Sequence, residues 1–318
     1  PSAWPYRDWV IKSLNEDKPY NQFVREQLAG DEMAPDNPEV LIATAYLRNP
    51  IYEWNQADAR GQWDIILTDI TDTTGELFLG LSFGCARCHN HKFDPILQKD
   101  YFRLRSFFAP VQWRDDMKLA TPEQQQSYTK QQAEWESATA QIRASMEAMV
   151  KPLRDKKVEF ALHRFNDELR AMVHKKFEER APMERQLANL CERQLERARR
   201  TFEPLKSLKT DEDKAKYTAL TEELKKFDPL KPKPLMEAFV ATDVGPVAPS
   251  TTFKTRKGEH EVAPGFLTML EPVEPEIPAL TGSTGRRTAL ANWITREDNQ
   301  LSTRVIVNRV WQYHFGRG

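Results

Sequence analysis

Apolar residues recur at helical spacing through most of the first hundred residues, and this pattern predicts a series of short amphipathic helices. We expect helices from Pro5 to Asn15, from Pro19 to a stop at Gly30, and from Pro38 onward. Proline is well tolerated in the first turn of a helix, and glycine commonly ends one.

A longer periodic run predicts a buried helix that leads into a cysteine motif at residues 84–95. Its core positions are Trp63, Ile66, Leu67, Ile70, Thr74, Leu77, Phe78 and Leu81. Gly80 and Gly84 weaken this helix as it reaches the motif. After the motif, Leu97, Tyr101, Leu104 and Phe108 predict a second helix. The motif should therefore be a loop or helix end held between two core helices, which suits a cofactor site.

The character of the chain changes at residues 121–227, which are rich in Glu, Lys, Arg and Gln and almost free of Gly. Such a composition favours helices with solvated charged faces. We expect a pair or trio of long antiparallel helices that form a protruding hairpin. Pro152, Pro182 and Pro204 should mark bends or turns between helices.

Residues 228–283 hold many of the 21 prolines and predict a linker or an extended wrap over the surface. Within it, residues 251–262 read as a small β-hairpin. The tail returns to helical spacing and predicts helices from Arg286 to Ile294 and from Ser302 to Phe315. We expect the last helix to face a core with Val305, Ile306, Val310 and Tyr313.

The predicted fold is therefore mainly α, in three parts. Residues 1–115 form a helical domain that carries the cysteine motif, and residues 116–230 form a charged helical hairpin insert. Residues 231–318 form the proline-rich wrap, with its hairpin, and a C-terminal helical segment.

Composition and charge exclude several classes of protein. The 318 residues are 40% hydrophobic and 29% charged, with a formal net charge of -1, so a broadly basic nucleic-acid-binding surface is not expected. No apolar run is long enough for a membrane span, and the first residues do not form a signal peptide. The chain lacks an initiator Met, and we expect it to be part of a longer polypeptide.

The motif Cys85-Ala86-Arg87-Cys88-His89 fits C-x-x-C-H, the attachment pattern of c-type haem. Two thiols at this spacing can form thioethers with the two vinyl groups of one porphyrin, and the following His can be the proximal ligand of the iron. Three other interpretations stay open. The thiols could form a redox-active disulfide, bind zinc with a His, or be reduced core residues.

His91 and Asp94 follow the motif closely. His91 is too near His89 in sequence to reach the opposite face of the same haem without an unusual loop. It is a candidate catalytic acid or base, a propionate contact, or a partner of Asp94. The Asp94-Pro95 order also predicts that Asp94 caps a helix that starts at Pro95.

Three segments carry a family resemblance: YRDWVIKSLNEDKPYNQFVREQLAGD, GCARCHNHKFDP followed by Lys99-Asp100-Tyr101, and LANWITREDNQLSTRVIVNRVWQYHFGRG. Together they resemble the planctomycete-type cytochrome-associated proteins, in which two domains of unknown function commonly follow a cytochrome c-like domain. The first domain resembles residues 1 to about 110 and the second resembles residues from about 235. The family's second domain normally continues beyond FGRG, so we expect it to be truncated here.

The resemblance implies an exported protein in the periplasm or another extracytoplasmic space. It implies one covalent haem c and a redox partner, for which the N-terminal cytochrome domain of the full-length chain is a candidate. His314 lies where the family usually has His, so it is a candidate distal ligand, beside Met33, Met117, Met236 and Met269. A homo-oligomer or multi-haem assembly is also compatible, and neighbouring polysaccharide-degrading genes hint at sugar oxidation.

The expected function is thus a c-type haem protein that transfers electrons, as the haem domain or subunit of an oxidoreductase on carbohydrate-related substrates. The alternative is a non-haem metal-dependent enzyme, or a metal-stabilised binding or assembly module, that uses the same Cys and His cluster. Nearby carboxylates at Asp64, Asp69, Asp72 and Asp100 could extend that cluster.

Overall fold

The computed structural model describes residues 3–318 and is dominated by helices, so the predicted mainly α class is confirmed. The α-helices of the described residues are α1 (Trp4–Asn15), α2 (Tyr20–Met33), α3 (Pro38–Ala43), α4 (Ala59–Thr74), α5 (Gln98–Ser106), α6 (Pro122–Leu162), α7 (Asp167–His174), α8 (Pro182–Arg200), α9 (Pro204–Ser207), α10 (Asp211–Lys225), α11 (Arg286–Ile294) and α12 (Gln300–Phe315). Short 3₁₀ and π turns connect several of them.

Two small antiparallel sheets accompany the helices. Strands β3 (Thr251–Thr255) and β4 (Gly258–Val262) form the predicted hairpin, which is confirmed. Strands β1 (Val111–Lys118) and β2 (Glu237–Asp243) form a second sheet that the sequence pattern did not predict. This sheet joins the end of the first predicted domain to the proline-rich wrap, across the whole insert. The domain boundaries themselves stay a prediction.

The main core lies beneath the cysteine motif and includes Leu28, Ile66, Phe83, Leu104 and Leu290. These residues come from α2, α4, α5, α11 and the motif turn, so the two ends of the chain share one core. Burial of large apolar side chains is the main stabilising contribution to such a core.

Helix α2 continues past Gly30 to Met33, so the predicted stop at Gly30 is wrong. The glycine serves instead a close approach of two helices. A Cβ atom at Gly30 would lie 2.6 Å from the carbonyl oxygen of Val40 on α3. The irregularity in α2 occurs one residue earlier, at Ala29, whose backbone angles are not helical.

The insert packs into the molecule more closely than a protruding hairpin would. Helix α8 packs against both α6 and α4, and it buries Leu187, Leu190 and Cys191 in the main core. The prediction of an insert that only protrudes is therefore wrong for α8. Pro182 and Pro204 lie between helices, as predicted, each as the first residue of the next helix, but Pro152 lies inside α6 and marks no turn between helices.

Helix α12 is present, but its last turns do not face a core. Val305 and Ile306 are half-buried and Val305 lies against Gly80, whereas Val310 is 51% exposed and Tyr313 is 90% exposed. The predicted inward-facing set is therefore wrong for Val310 and Tyr313, because apolar spacing alone does not supply a packing partner. No helix among residues 3–318 has the length and apolar character needed to cross a membrane.

Candidate functional site

A sequence of tight turns carries the chain from α4 to the cysteine motif. Helix α4 runs into a π-helical turn at Gly75–Leu79, which ends at Gly80 in the left-handed conformation (φ 64°). Glycine adopts this conformation with little strain, so it can end the helix sharply. The motif then begins as a 3₁₀ turn, Phe83–Arg87, with Cys88 at its end.

One face of this 3₁₀ turn anchors it to the core. Phe83 and Ala86 are fully buried. The Phe83 ring fills the space above Gly75, where a Cβ atom would lie 2.2 Å from a ring carbon. Because Gly75 has no side chain, the Phe83 ring can pack directly against its backbone, and this contact positions the motif turn.

The other face of the turn presents the two thiols. Residues three apart lie above one another in a 3₁₀ helix, so Cys85 and Cys88 point to the same side. Both are exposed free thiols. The prediction that they could be reduced core residues is wrong, and the buried cysteine of the chain is Cys191, as predicted.

His89 is exposed and has a defined tautomer. Its Nδ1 lies 2.7 Å from the carbonyl oxygen of Asn90, and a carbonyl oxygen can only accept, so Nδ1 carries the proton and donates it. The Nε2 lone pair is then free. Metal-binding histidines commonly have this arrangement, in which one ring N–H bonds a backbone carbonyl and the other nitrogen binds the metal.

His91 has the opposite tautomer. Its Nδ1 accepts a hydrogen bond from the backbone N–H of Asp94 (2.8 Å) and a longer one from Phe93 (3.4 Å), so its proton is on Nε2. The Oδ2 atom of Asp94 also lies 3.2 Å from Nδ1. With its proton on Nε2, His91 contacts Asp94 through the backbone N–H and has no proton on Nδ1 to donate to the Asp94 carboxylate, so the predicted side-chain pair stays a prediction; the backbone contact shapes the loop after the motif. The catalytic role of His91 stays a prediction.

The helix after the motif begins at Gln98, not at Pro95, so the predicted Asp94 cap is wrong. Asn90 and Asp100 provide the capping oxygens. Asn90 Oδ1 accepts from the backbone N–H of Gln98 (3.0 Å), and Asp100 Oδ2 accepts from that of Leu97 (3.1 Å). Asn90 thus fixes both the His89 ring and the start of α5.

Gln98 joins the motif to the β3–β4 hairpin. Its side-chain Nε2 lies 3.2 Å from the carbonyl oxygens of Arg87 and Cys88 and 3.5 Å from that of Lys254 in β3. Sequence reasoning missed this residue, because nothing local in the chain indicates that a segment more than 150 residues away will pack here.

A buried polar layer lies under the motif, formed by Thr68, Asp72 and Tyr101. Asp72 and Tyr101 lie close enough to perturb each other's pKa, and Thr68 lies close enough to affect that of Tyr101, yet a buried oxygen atom of each of the three lacks a well-formed hydrogen bond within the described chain. Burial raises the pKa of Asp72, and burial with the nearby Asp72 charge raises the pKa of Tyr101. The polar spacing of Thr68 and Asp72 along the buried stripe of α4 is the sequence signal that could have indicated this layer.

The other predicted site residues are dispersed. Asp64 is exposed and pairs with Arg105 (2.6 Å), whereas Asp100 is buried and accepts from Thr268 (2.5 Å). His314 lies on the exposed last turn of α12, with its ring beside Phe315. Within the described chain, no hydrogen bond or ring contact joins His314 to the motif.

The residues at the motif fit a covalently attached haem. Two exposed thiols share one side of a turn that is fixed to the core, and the adjacent His89 has a free Nε2. The fit to a non-haem metal ion is poorer. Among residues 3–318, no three His, Cys, Asp or Glu side chains are grouped so that they could hold one.

Comparison with known families gives two matches. Residues 1–113 match the family model PSCyt2, a protein of unknown function (DUF1549), and residues 286–318 match PSD1, a protein of unknown function (DUF1553). Neither the curated proteins nor the solved structures contain a match to this chain. The first matched region contains the whole cysteine motif, and the second contains α11 and α12.

Proposed function

We propose, from the premise that this chain carries the paired domains of unknown function associated with planctomycete cytochrome C, that it is a c-type haem protein for electron transfer. The observation that carries the proposal is the 3₁₀ turn at Phe83–Arg87. It presents Cys85 and Cys88 on one exposed side and is followed directly by a histidine with a free Nε2.

In this proposal Cys85 and Cys88 are the thioether anchors and His89 is the proximal ligand. The bound haem would supply an iron centre that changes oxidation state by one electron. The residues of the chain hold this centre in place. The backbone carbonyl oxygen of Asn90 orients the His89 ring by accepting from Nδ1. The buried Phe83 side chain anchors the turn to the core.

The surface beside the motif supports a large apolar ligand. Phe93 is 82% exposed, and its ring lies beside His91 (centroids 6.5 Å apart) and under the Lys92 ammonium group. An exposed aromatic ring five residues after Cys88 is apolar area that a porphyrin would shield from water. The positive charge of the Lys92 ammonium group suits contact with an anionic group.

The location and partner follow from the same chemistry. Thioether attachment of haem takes place outside the cytoplasm, so we place the working protein in the periplasm or an equivalent compartment. A cytochrome domain of the kind associated with these families is the proposed redox partner. The non-haem metal alternative has less support, because no three His, Cys, Asp or Glu side chains of the described residues are grouped so that they could hold a metal ion.

Production in cells that carry a cytochrome c maturation system tests the proposal. The protein should show a Soret band that remains with the polypeptide after acid-acetone extraction. Cys85→Ala together with Cys88→Ala should abolish the retained band. Cys191→Ser is the matched control, because Cys191 is buried away from the motif, and it should keep the band. A colourless wild-type protein would exclude the proposal.

A further inference from the structure

The β3–β4 hairpin lies against the cysteine motif. Phe253 in β3 stacks on Phe102 in α5, with ring centroids 5.2 Å apart and planes 17° apart. One helical turn earlier in α5, Gln98 Nε2 lies near the carbonyl oxygens of both Lys254 and Cys88. The hairpin therefore runs along α5 toward its N-terminus, and Gln98 connects Lys254, near the end of β3, to the motif.

His260 occupies the face of the hairpin that meets α5. In the strand register it is paired directly with Phe253, and the two ring centroids are 5.4 Å apart. Side chains alternate between the two faces of a strand, so His260 shares the inward face with Phe253, whereas the neighbouring glutamates Glu259 and Glu261 lie on the other face. His260 is nevertheless exposed, so its ring is accessible to a ligand.

Thr255 Oγ1 holds the His260 ring through Nε2, which lies 2.9 Å away. The same oxygen accepts from the backbone N–H of Lys257 (3.1 Å) and lies 3.3 Å from the carbonyl oxygen of Gly258. When the Thr255 proton is directed to that carbonyl oxygen, Nε2 is the donor to Oγ1 and the Nδ1 lone pair of His260 is free. In that tautomer His260 has one nitrogen held by the protein and one available to a metal, as His89 has.

His314, the histidine that the family pattern favours, is placed less well. Helix α12 passes the end of α4 with Val305 against Gly80 and with Arg309 donating to the carbonyl oxygen of Leu77 (2.6 Å). From Val305 to Arg309 the contacts of α12 therefore move back along the preceding segment from Gly80 to Leu77, away from the motif. His314 is five residues beyond Arg309, about 7.5 Å farther from Gly80 at the helical rise.

We propose that His260 on the hairpin is the second axial ligand of a haem attached at Cys85 and Cys88, opposite His89. This inference rests on the proposed function, because it needs the haem. It assigns a role to the hairpin as the element that closes the distal side of the site. Two imidazole ligands would make the iron six-coordinate and low-spin, which suits electron transfer and leaves no open position for a substrate.

Absorption and electron paramagnetic resonance spectra of the haem-loaded full chain test this assignment. The ferric wild type should be low-spin and its ferrous form should bind carbon monoxide slowly. His260→Ala should lose the low-spin signal and bind carbon monoxide rapidly, and added imidazole should restore the low-spin spectrum. His314→Ala, the matched control, should keep the wild-type spectra.

The imidazole rescue separates ligation from a merely structural role, because free imidazole can replace a ligand but cannot refold a hairpin. Unchanged spectra in His260→Ala with haem still covalently bound would overturn the assignment and leave the proposed function intact. Loss of the low-spin signal in His314→Ala alone would overturn it in favour of α12. A chain that takes up no haem at all would overturn both proposals.

Discussion

Arg287 and Asp31 form a bidentate pair in the interior of the protein, with Nη1–Oδ1 at 2.6 Å and Nη2–Oδ2 at 2.7 Å. The guanidinium is fully buried, and it also donates to Asp243 Oδ1 (2.7 Å) and to the carbonyl oxygen of Leu28 (3.1 Å). It therefore connects α11, α2 and β2. These elements include parts of both regions that match a family, so Arg287 joins the two family domains.

Replacement of Arg287 should be strongly destabilising. Arg287→Ala leaves the carboxylates of Asp31 and Asp243 buried without their cation, which costs about 3–5 kcal/mol in comparable cases. Denaturant unfolding followed by circular dichroism measures the change. Arg296→Ala is the control, because Arg296 pairs with Glu271 and Asp298 near the surface, and it should cost no more than about 1 kcal/mol. Equal effects of the two substitutions would contradict a special role for Arg287.

The same cluster should make stability depend on pH through Glu32. Burial raises the pKa of Glu32 from 4.5 to about 7, against the opposing effect of Arg287. The folded protein then holds a proton on Glu32 that the unfolded chain releases, so this contribution to stability is complete below pH 4.5 and is lost as pH rises toward 7. The expected loss is on the order of 1–3 kcal/mol.

Glu32→Gln isolates this contribution. The amide oxygen can still accept from the N–H and hydroxyl of Thr288, which now bond Glu32 Oε2 at 2.7 and 2.6 Å, and the variant cannot ionise. Its unfolding free energy should vary less between pH 5 and pH 8 than that of the wild type, and it should be the more stable protein at pH 8. The opposite order at pH 8 would show that Glu32 is ionised in the fold.

The close contact between Gly75 and the Phe83 ring, which positions the cysteine motif, should not tolerate an added methyl group. In Gly75→Ala the new Cβ would meet the Phe83 ring at 2.2 Å, so the ring and the turn must move. Overpacking of this kind costs about 1–3 kcal/mol, and it should also reduce haem attachment. Gly84→Ala is the matched control, since its Cβ would meet Asp72 at an ordinary 3.6 Å. Denaturant melts should rank Gly84→Ala closer to the wild type.

The three cysteines should differ in reactivity before haem is attached. Cys85 and Cys88 are exposed, whereas burial raises the pKa of the Cys191 thiol to about 12. The thiolate is the reactive form, so a thiol reagent at neutral pH should label two sites in the folded protein and three in denaturant. Mass spectrometry of digested protein identifies the sites. Rapid labelling of Cys191 in the folded state would contradict the position of α8 in the core.

The sequence pattern predicted elements whose signals are local. The stripe that includes Ile66 and Ile70 identified α4, and the β-branched residues at 251–255 identified the hairpin. It missed β1, in which Arg114, Asp115 and Asp116 interrupt the apolar alternation and the partner strand lies beyond the insert. Pairing over such a distance depends on the tertiary fold, not on local preference.

The candidate site was predictable only in part, because some of its residues are adjacent in the sequence and others are brought together by the tertiary fold. The C-x-x-C-H spacing identified the two thiols and His89, because that chemistry is encoded in adjacent residues. The cap was assigned to Asp94 on a general preference, but loop closure brings Asn90 and Asp100 to the start of α5 instead. His260 could not be placed beside the motif until the contacts of Gln98 and Phe253 located the hairpin.

The most direct test of the central proposal is the intact mass of the denatured polypeptide after production with a cytochrome c maturation system. Two thioether bonds at Cys85 and Cys88 should add the mass of one haem to the wild type and to Cys191→Ser. The chain with both motif cysteines replaced by alanine should keep its sequence mass. A wild-type protein of unshifted mass, in cells that attach haem to a control cytochrome, would contradict the account.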